Sequence, residues 1–141
     1  MKRALCLAAQ GKGKTSPNPC VGAVLVKNGR IIGEGWHKKA GLPHAEINAL
    51  ENCRKAGGDP KGATLYVTLS PCCHFGKTPP CTSAIIPSGI SEVFAACIDP
   101  NPLTSDTARI LKKNGIAYHI GLLEKEAREL NEEYFIHILQ K

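Results

Sequence analysis

Hydrophobic positions along this chain alternate between helical and strand periods. Ala4, Leu5, Leu7 and Ala8 fall at helical spacing in residues 2–10, and Gly11-Lys12-Gly13 ends that run. Residues 21–26 and 30–37 are β-rich runs on either side of Lys27-Asn28-Gly29, and Asn-Gly between such runs is a strong hairpin signal. In residues 44–56, Ile47, Ala49, Leu50 and Cys53 return to helical spacing, with Pro43 at the entry and Gly57-Gly58 at the exit. Residues 64–69 read as a buried strand, followed by a Pro/Cys/Gly loop and a short helix near residues 82–87. Residues 93–98 form another apolar strand, which Asp99-Pro100-Asn101-Pro102 ends. The pattern then gives a helix over 104–114, a strand over 116–120 and one long amphipathic helix over 123–139. Helices that cross over between the later strands predict an α/β fold of three layers, α/β/α, around a central mixed five-stranded sheet, with residues 1–141 as one domain.

No apolar run approaches the ~18 residues of a membrane span, and Met1-Lys2-Arg3 opens no signal-peptide core, so a cytoplasmic chain is expected. The net charge of +6 is uneven: residues 1–61 hold 11 Lys/Arg against 4 Asp/Glu, and the rest hold 7 against 8. Such a basic half can face a phosphorylated small molecule or a nucleic acid, and surface lysines alone also account for it. The 7 cysteines are an odd number in a chain with no export signal, which favours metal ligands over a disulfide framework. Cys6, Cys53 and Cys97 sit within apolar periodic stretches and are expected in the core.

Ala8-Ala9-Gln10-Gly11-Lys12-Gly13-Lys14-Thr15 imitates a phosphate-binding loop. A helix precedes it, however, and Ser16-Pro17-Asn18-Pro19 cannot start the helix that such a loop requires. The chemistry lies elsewhere. His44-Ala45-Glu46 opens the second helix, Pro71-Cys72-Cys73-His74 follows the buried strand, and Cys81 follows Pro79-Pro80. One imidazole and two thiolates suit a catalytic zinc, which keeps three protein ligands and an open position. Two thiolates cancel the charge of Zn²⁺, so a water there still needs a base, and Glu46 stands two residues from His44. His-x-Glu, then Pro-Cys, then a second Cys is the zinc-deaminase signature. A closed structural site completed by Cys73 or His74 is the alternative, and it leaves Glu46 without a purpose.

Five segments extend this signature over most of the chain: Thr15-Ser16-Pro17-Asn18-Pro19-x-Val21-Gly22, Gly33-Glu34-Gly35-x-His37, Ala40-Gly41-x-Pro43-His44-Ala45-Glu46, Pro71-Cys72-x-His74-x-Gly76-Lys77-Thr78-Pro79-Pro80-Cys81 and Asp99-Pro100-Asn101-Pro102. Together they resemble the deaminase domain of the bifunctional riboflavin-biosynthesis deaminase/reductase, within the cytidine-deaminase-like superfamily. The most specific element is the gap of 8 residues between Cys72 and Cys81, where base and nucleoside deaminases generally have two. The resemblance implies hydrolytic deamination of 2,5-diamino-6-ribosylamino-4(3H)-pyrimidinone 5′-phosphate to 5-amino-6-(5-phosphoribosylamino)uracil. It implies zinc on His44, Cys72 and Cys81, Glu46 as proton shuttle, and Asn18, His37, His74, Lys77, Thr78, Asp99 and Asn101 at the substrate. A homo-oligomer and a fused or separate reductase are the expected partners; nucleic acid and membrane are not.

Several of these residues also fit simpler roles. Asn18 between prolines can form a turn, Asp99 and Asn101 can cap a strand end and the next helix, and His37 can be a satisfied structural histidine. His119 and His137 lie outside every motif and receive no role. Ser70 stands where the family has Glu, Cys73 where it has Ser, and residues 103–107 form a shorter loop without the family's glycine. A tRNA or nucleobase deaminase and a non-catalytic zinc-stabilised partner domain are the competing functions.

Overall fold

Asn28 and Gly29 both take positive φ, 52° and 75°, which is what a two-residue type I′ turn requires. They join β1 (Gly22–Lys27) to β2 (Arg30–Trp36), the expected hairpin, in a computed structural model that describes residues 1–140. β1 also pairs antiparallel with β3 (Thr64–Val67), and β3, β4 (Glu92–Ala95) and β5 (Ala117–Ile120) are parallel. The sheet is therefore mixed and five-stranded, in the order β2-β1-β3-β4-β5.

Alternation along the strands divides the core into two layers. Ala23, Leu25, Leu65, Val67 and Val93 pack with Ala49, Leu50 and Cys53 of α2 (Ala45–Lys55), Ile85 of α3 (Thr82–Ser88) and Leu111 of α4 (Thr107–Lys113). Val24 faces the other way, onto Ala4 and Leu7 of α1 (Lys2–Ala9). Ala127 of α5 (Glu124–Leu130) and Phe135 of α6 (Glu132–Leu139) extend that second layer over Leu69, Ala96 and Cys97.

α2 lies unusually close to the sheet because β2 offers it glycines. A Cβ on Gly35 would stand 2.5 Å from Ala49 N, inside the helix backbone's own space. Gly35→Ala is therefore expected to push α2 outward and lower stability by about 1–3 kcal/mol, the usual range for overpacking. Thermal unfolding of the purified variant measures it, and an unchanged midpoint would show that α2 can retreat freely.

The structure departs from the sequence pattern in four places. The strands expected over 64–69 and 93–98 stop at Val67 and Ala95, although pairing continues irregularly through Thr68 N–H to Gly22 O and Ser70 N–H to Cys97 O. The helix expected over 104–114 is a 3₁₀ turn, Pro102–Thr104, followed by α4. The long helix expected over 123–139 breaks at Asn131, whose side-chain amide accepts from Cys20 N–H and donates to Cys20 O, both at 2.7 Å. That buried amide ties the α5–α6 junction to the Pro17–Cys20 loop, and its backbone (φ −112°, ψ 28°) leaves the helix to do so. Cys6, expected in the core, is exposed, because α1 turns Ala4, Leu7 and Ala8 inward; Cys53 and Cys97 are buried as expected.

Candidate active site

The carboxyl ends of the parallel strands β3 and β4 feed the loops where an open α/β sheet usually binds its ligands. His44 is the residue before α2, and Cys81 the residue before α3. Both helices thus direct their positive N-terminal ends towards the cluster, which favours thiolate there. Cys72 arrives from the loop after β3. His44 Nδ1 lies 3.2 Å from Cys81 Sγ and 3.6 Å from Cys72 Sγ, and Cys81 N–H donates to Cys72 Sγ at 3.1 Å. Tetrahedral zinc with Zn–N and Zn–S bonds of about 2.1 and 2.3 Å separates its nitrogen and sulfur ligands by about 3.6 Å. The two N···S distances, and donor atoms that all lie within 4.8 Å of one another, fit that ion. Cys73 is outside the group, with its thiol donating to Leu103 O.

Thr78 stands against the far nitrogen of His44. Its Oγ1 lies 3.4 Å from His44 Nε2, so a ring that turns its Nδ1 lone pair to a metal between the sulfurs can donate Nε2–H to the hydroxyl. Hydrogen bonding from Cys81 holds the Cys72 thiol well below its ordinary range, while Cys72 and burial push the Cys81 thiol up. Glu46, in the first turn of α2, is 3 % exposed, and burial pushes its carboxyl up to about 7 against the pull of His44.

All the predicted site residues except Cys81 line one cavity of about 320 Å³; Cys81 is buried in the core cluster beside it. Asn18 Nδ2 donates to His37 Nε2 (3.2 Å), and His37 Nδ1–H donates to Pro43 O (3.1 Å). Both nitrogens of this neutral, buried histidine are engaged, so His37 orients Asn18 and offers the cavity only its ring. His74 Nδ1 is buried without a hydrogen-bond partner among the described residues. Lys77 is exposed at the rim. Asp99 and Asn101 do both things their types allow: Asp99 Oδ1 accepts from Asn101 N–H, Asn101 Oδ1 caps Leu103 N–H, and both residues line the cavity. Ser70 Oγ accepts from Asp99 N–H at 2.8 Å, so the residue that departs from the family pattern anchors a pocket residue.

The sequence reading missed one wall. Tyr134, His137 and Ile138 of α6 line the same cavity. Tyr134 and His137 stand three residues apart on one helical face, but no local motif marks that face as part of a site.

Known proteins share this arrangement. The cytidine and deoxycytidylate deaminase zinc-binding region matches residues 1–97. The chain is 58% identical over 142 residues to the riboflavin biosynthesis protein RibD of Aquifex aeolicus, matching all of itself and 39% of that protein. It is 53% identical over 136 residues to the diaminohydroxyphosphoribosylamino-pyrimidine deaminase of Buchnera aphidicola (subspecies Schizaphis graminum), with 96% of this chain and 90% of that protein covered. A solved deaminase/reductase from Thermotoga maritima superposes with a TM-score of 0.96 at 50% identity, covering 99% of this chain and 40% of that one. The chain thus spans about two fifths of its longer relatives and nearly all of the shorter one. Among the described residues no helix is long and apolar enough to cross a membrane. With the resemblance read from the motifs now matched across the whole fold, the chain belongs to the zinc-binding cytidine and deoxycytidylate deaminase family.

Proposed function

We propose that this chain hydrolyses the exocyclic amine of 2,5-diamino-6-ribosylamino-4(3H)-pyrimidinone 5′-phosphate, giving 5-amino-6-(5-phosphoribosylamino)uracil and ammonia in riboflavin biosynthesis. The observation that carries this reading is the Cys72–Cys81 loop, which puts His74, Lys77 and Thr78 on the cavity that holds Glu46. The name of the Buchnera relative supports it, since the chain matches 90% of that protein's length.

His44, Cys72 and Cys81 would hold the zinc, with Thr78 against the far nitrogen of the His44 ring. When bound, zinc supplies the Lewis acidity that makes a water acidic enough to attack at neutral pH. Glu46 takes one proton from the attacking water and passes it to the ring nitrogen beside the attacked carbon, then takes the second proton from the added hydroxyl as it becomes the carbonyl and delivers it to the departing amine. Its burial keeps bulk water from competing for that proton. Asn18 and Asn101 offer amide groups, Asp99 accepts from amino groups, and the His74 ring forms part of the wall against the base. Lys77, at the rim, meets the 5′-phosphate.

The same reading includes a cytoplasmic homo-oligomer, and a reductase that consumes the product. The Thermotoga protein's name carries that reductase in one chain with the deaminase.

Lys77→Ala tests the phosphate assignment. It should lower kcat/KM for the phosphorylated substrate by about 10- to 100-fold, as loss of a charge-assisted contact at an exposed rim does. For the dephosphorylated riboside the change should be small. Steady-state ammonia release from both substrates by both proteins measures it. Equal losses would mean that Lys77 shapes the loop and that the phosphate binds elsewhere.

A further inference from the structure

We propose that Tyr134 is a positioning residue for substrate selection, and that its hydroxyl fixes the Asp99 carboxylate so that the other carboxylate oxygen reads the amino groups of the base. The inference rests on the reading above, in which Asp99 faces the substrate.

The Tyr134 hydroxyl donates to Asp99 Oδ1 at 2.8 Å, and the same oxygen accepts Asn101 N–H at 2.9 Å. Oδ1 is thereby saturated, while Oδ2 has no protein donor among the described residues. A carboxylate held in this way presents one acceptor to the cavity it lines, and an amino-bearing heterocycle supplies the matching N–H donors. The backbone of Asp99 is held independently, by its N–H on Ser70 Oγ and its carbonyl under Thr104 Oγ1. Asn101 comes from the same loop, so Tyr134 is the group that locks the carboxylate from a separate element.

α6 can do this because it is itself clamped. The Asn131 amide pairs with both backbone groups of Cys20 and binds the start of α6 to the loop that carries Asn18. Through these contacts α6 joins the loop of Asp99 to the loop of Asn18. Burial pushes the Asp99 carboxyl up, against the smaller opposing pull of the Asn101 N–H and the Tyr134 hydroxyl.

The test is a double-mutant cycle on the zinc-loaded chain, with KM, kcat and thermal midpoint measured for the wild type, Tyr134→Phe, Asp99→Asn and the double variant. Phe keeps the ring against the cavity and removes only the hydroxyl. The expected result is a KM raised about tenfold in Tyr134→Phe with kcat nearly unchanged, a KM raised at least as much in Asp99→Asn, and no further rise in the double variant. A Tyr134→Phe protein with a lower midpoint and an unchanged KM would show a merely structural hydrogen bond and overturn the inference. An equal rise in both backgrounds would also overturn it, by making Tyr134 a contact independent of Asp99. An unchanged KM in Asp99→Asn would instead remove Asp99 from the substrate site, and the inference would fall with that part of the functional reading.

Discussion

With Glu46 replaced by Gln, the chain should keep its zinc and lose about three to four powers of ten in kcat, the range expected when one group serves as both general base and general acid. Gln fills the same 3 % exposed position and can still hydrogen-bond to a water, but it cannot accept a proton. Because His44, Cys72 and Cys81 are untouched, metal content separates this effect from collapse of the site. Single-turnover kinetics together with zinc analysis of the same sample measures both. Near-normal turnover would assign the proton transfers to another group, and zinc loss would make Glu46 structural.

Cys81→Ser should abolish activity through the metal itself. Cys81 Sγ is the donor nearest to His44 Nδ1, and its backbone N–H supports Cys72 Sγ. A hydroxyl keeps its proton at neutral pH and coordinates zinc far more weakly than a thiolate. Zinc content is expected to fall from about one ion per chain to a small fraction. Cys72→Ser should behave alike, whereas Cys73→Ser should retain the metal, since that thiol bonds to Leu103 O. Zinc lost from Cys73→Ser and kept by Cys72→Ser would reverse the ligand assignment.

Much of the site was legible because its parts are local. The His44-Ala45-Glu46 triplet at a helix start and the Cys72–Cys81 spacing each fix a short stretch of backbone, and the sheet brings the stretches together. The hairpin was legible for the same reason, since Asn28 and Gly29 dictate their own turn. The break between α5 and α6 was not. Helical periodicity runs straight through Asn131, and what bends the chain there is a pair of hydrogen bonds to Cys20, 111 residues away in sequence. The cavity-lining positions of Tyr134 and His137 were hidden with it, because no local motif marks that face of α6. Cys6 is a different kind of miss: Ala4, Leu7 and Ala8 already define a stripe on α1 that leaves Cys6 on the opposite side. His37, Asn18, Asp99 and Asn101 make structural hydrogen bonds of the kind the simpler reading expects, and all four also line the cavity.

Ammonia release by the zinc-loaded chain, with the phosphorylated diaminopyrimidine, dCMP and a tRNA offered side by side, tests the proposed reaction most directly. The expected result is turnover of the diaminopyrimidine alone, lost on removal of zinc by a chelator and restored when zinc is returned. Faster release from dCMP or the tRNA would contradict the substrate, and undiminished release from the diaminopyrimidine after zinc removal would contradict the role of the His44, Cys72 and Cys81 cluster.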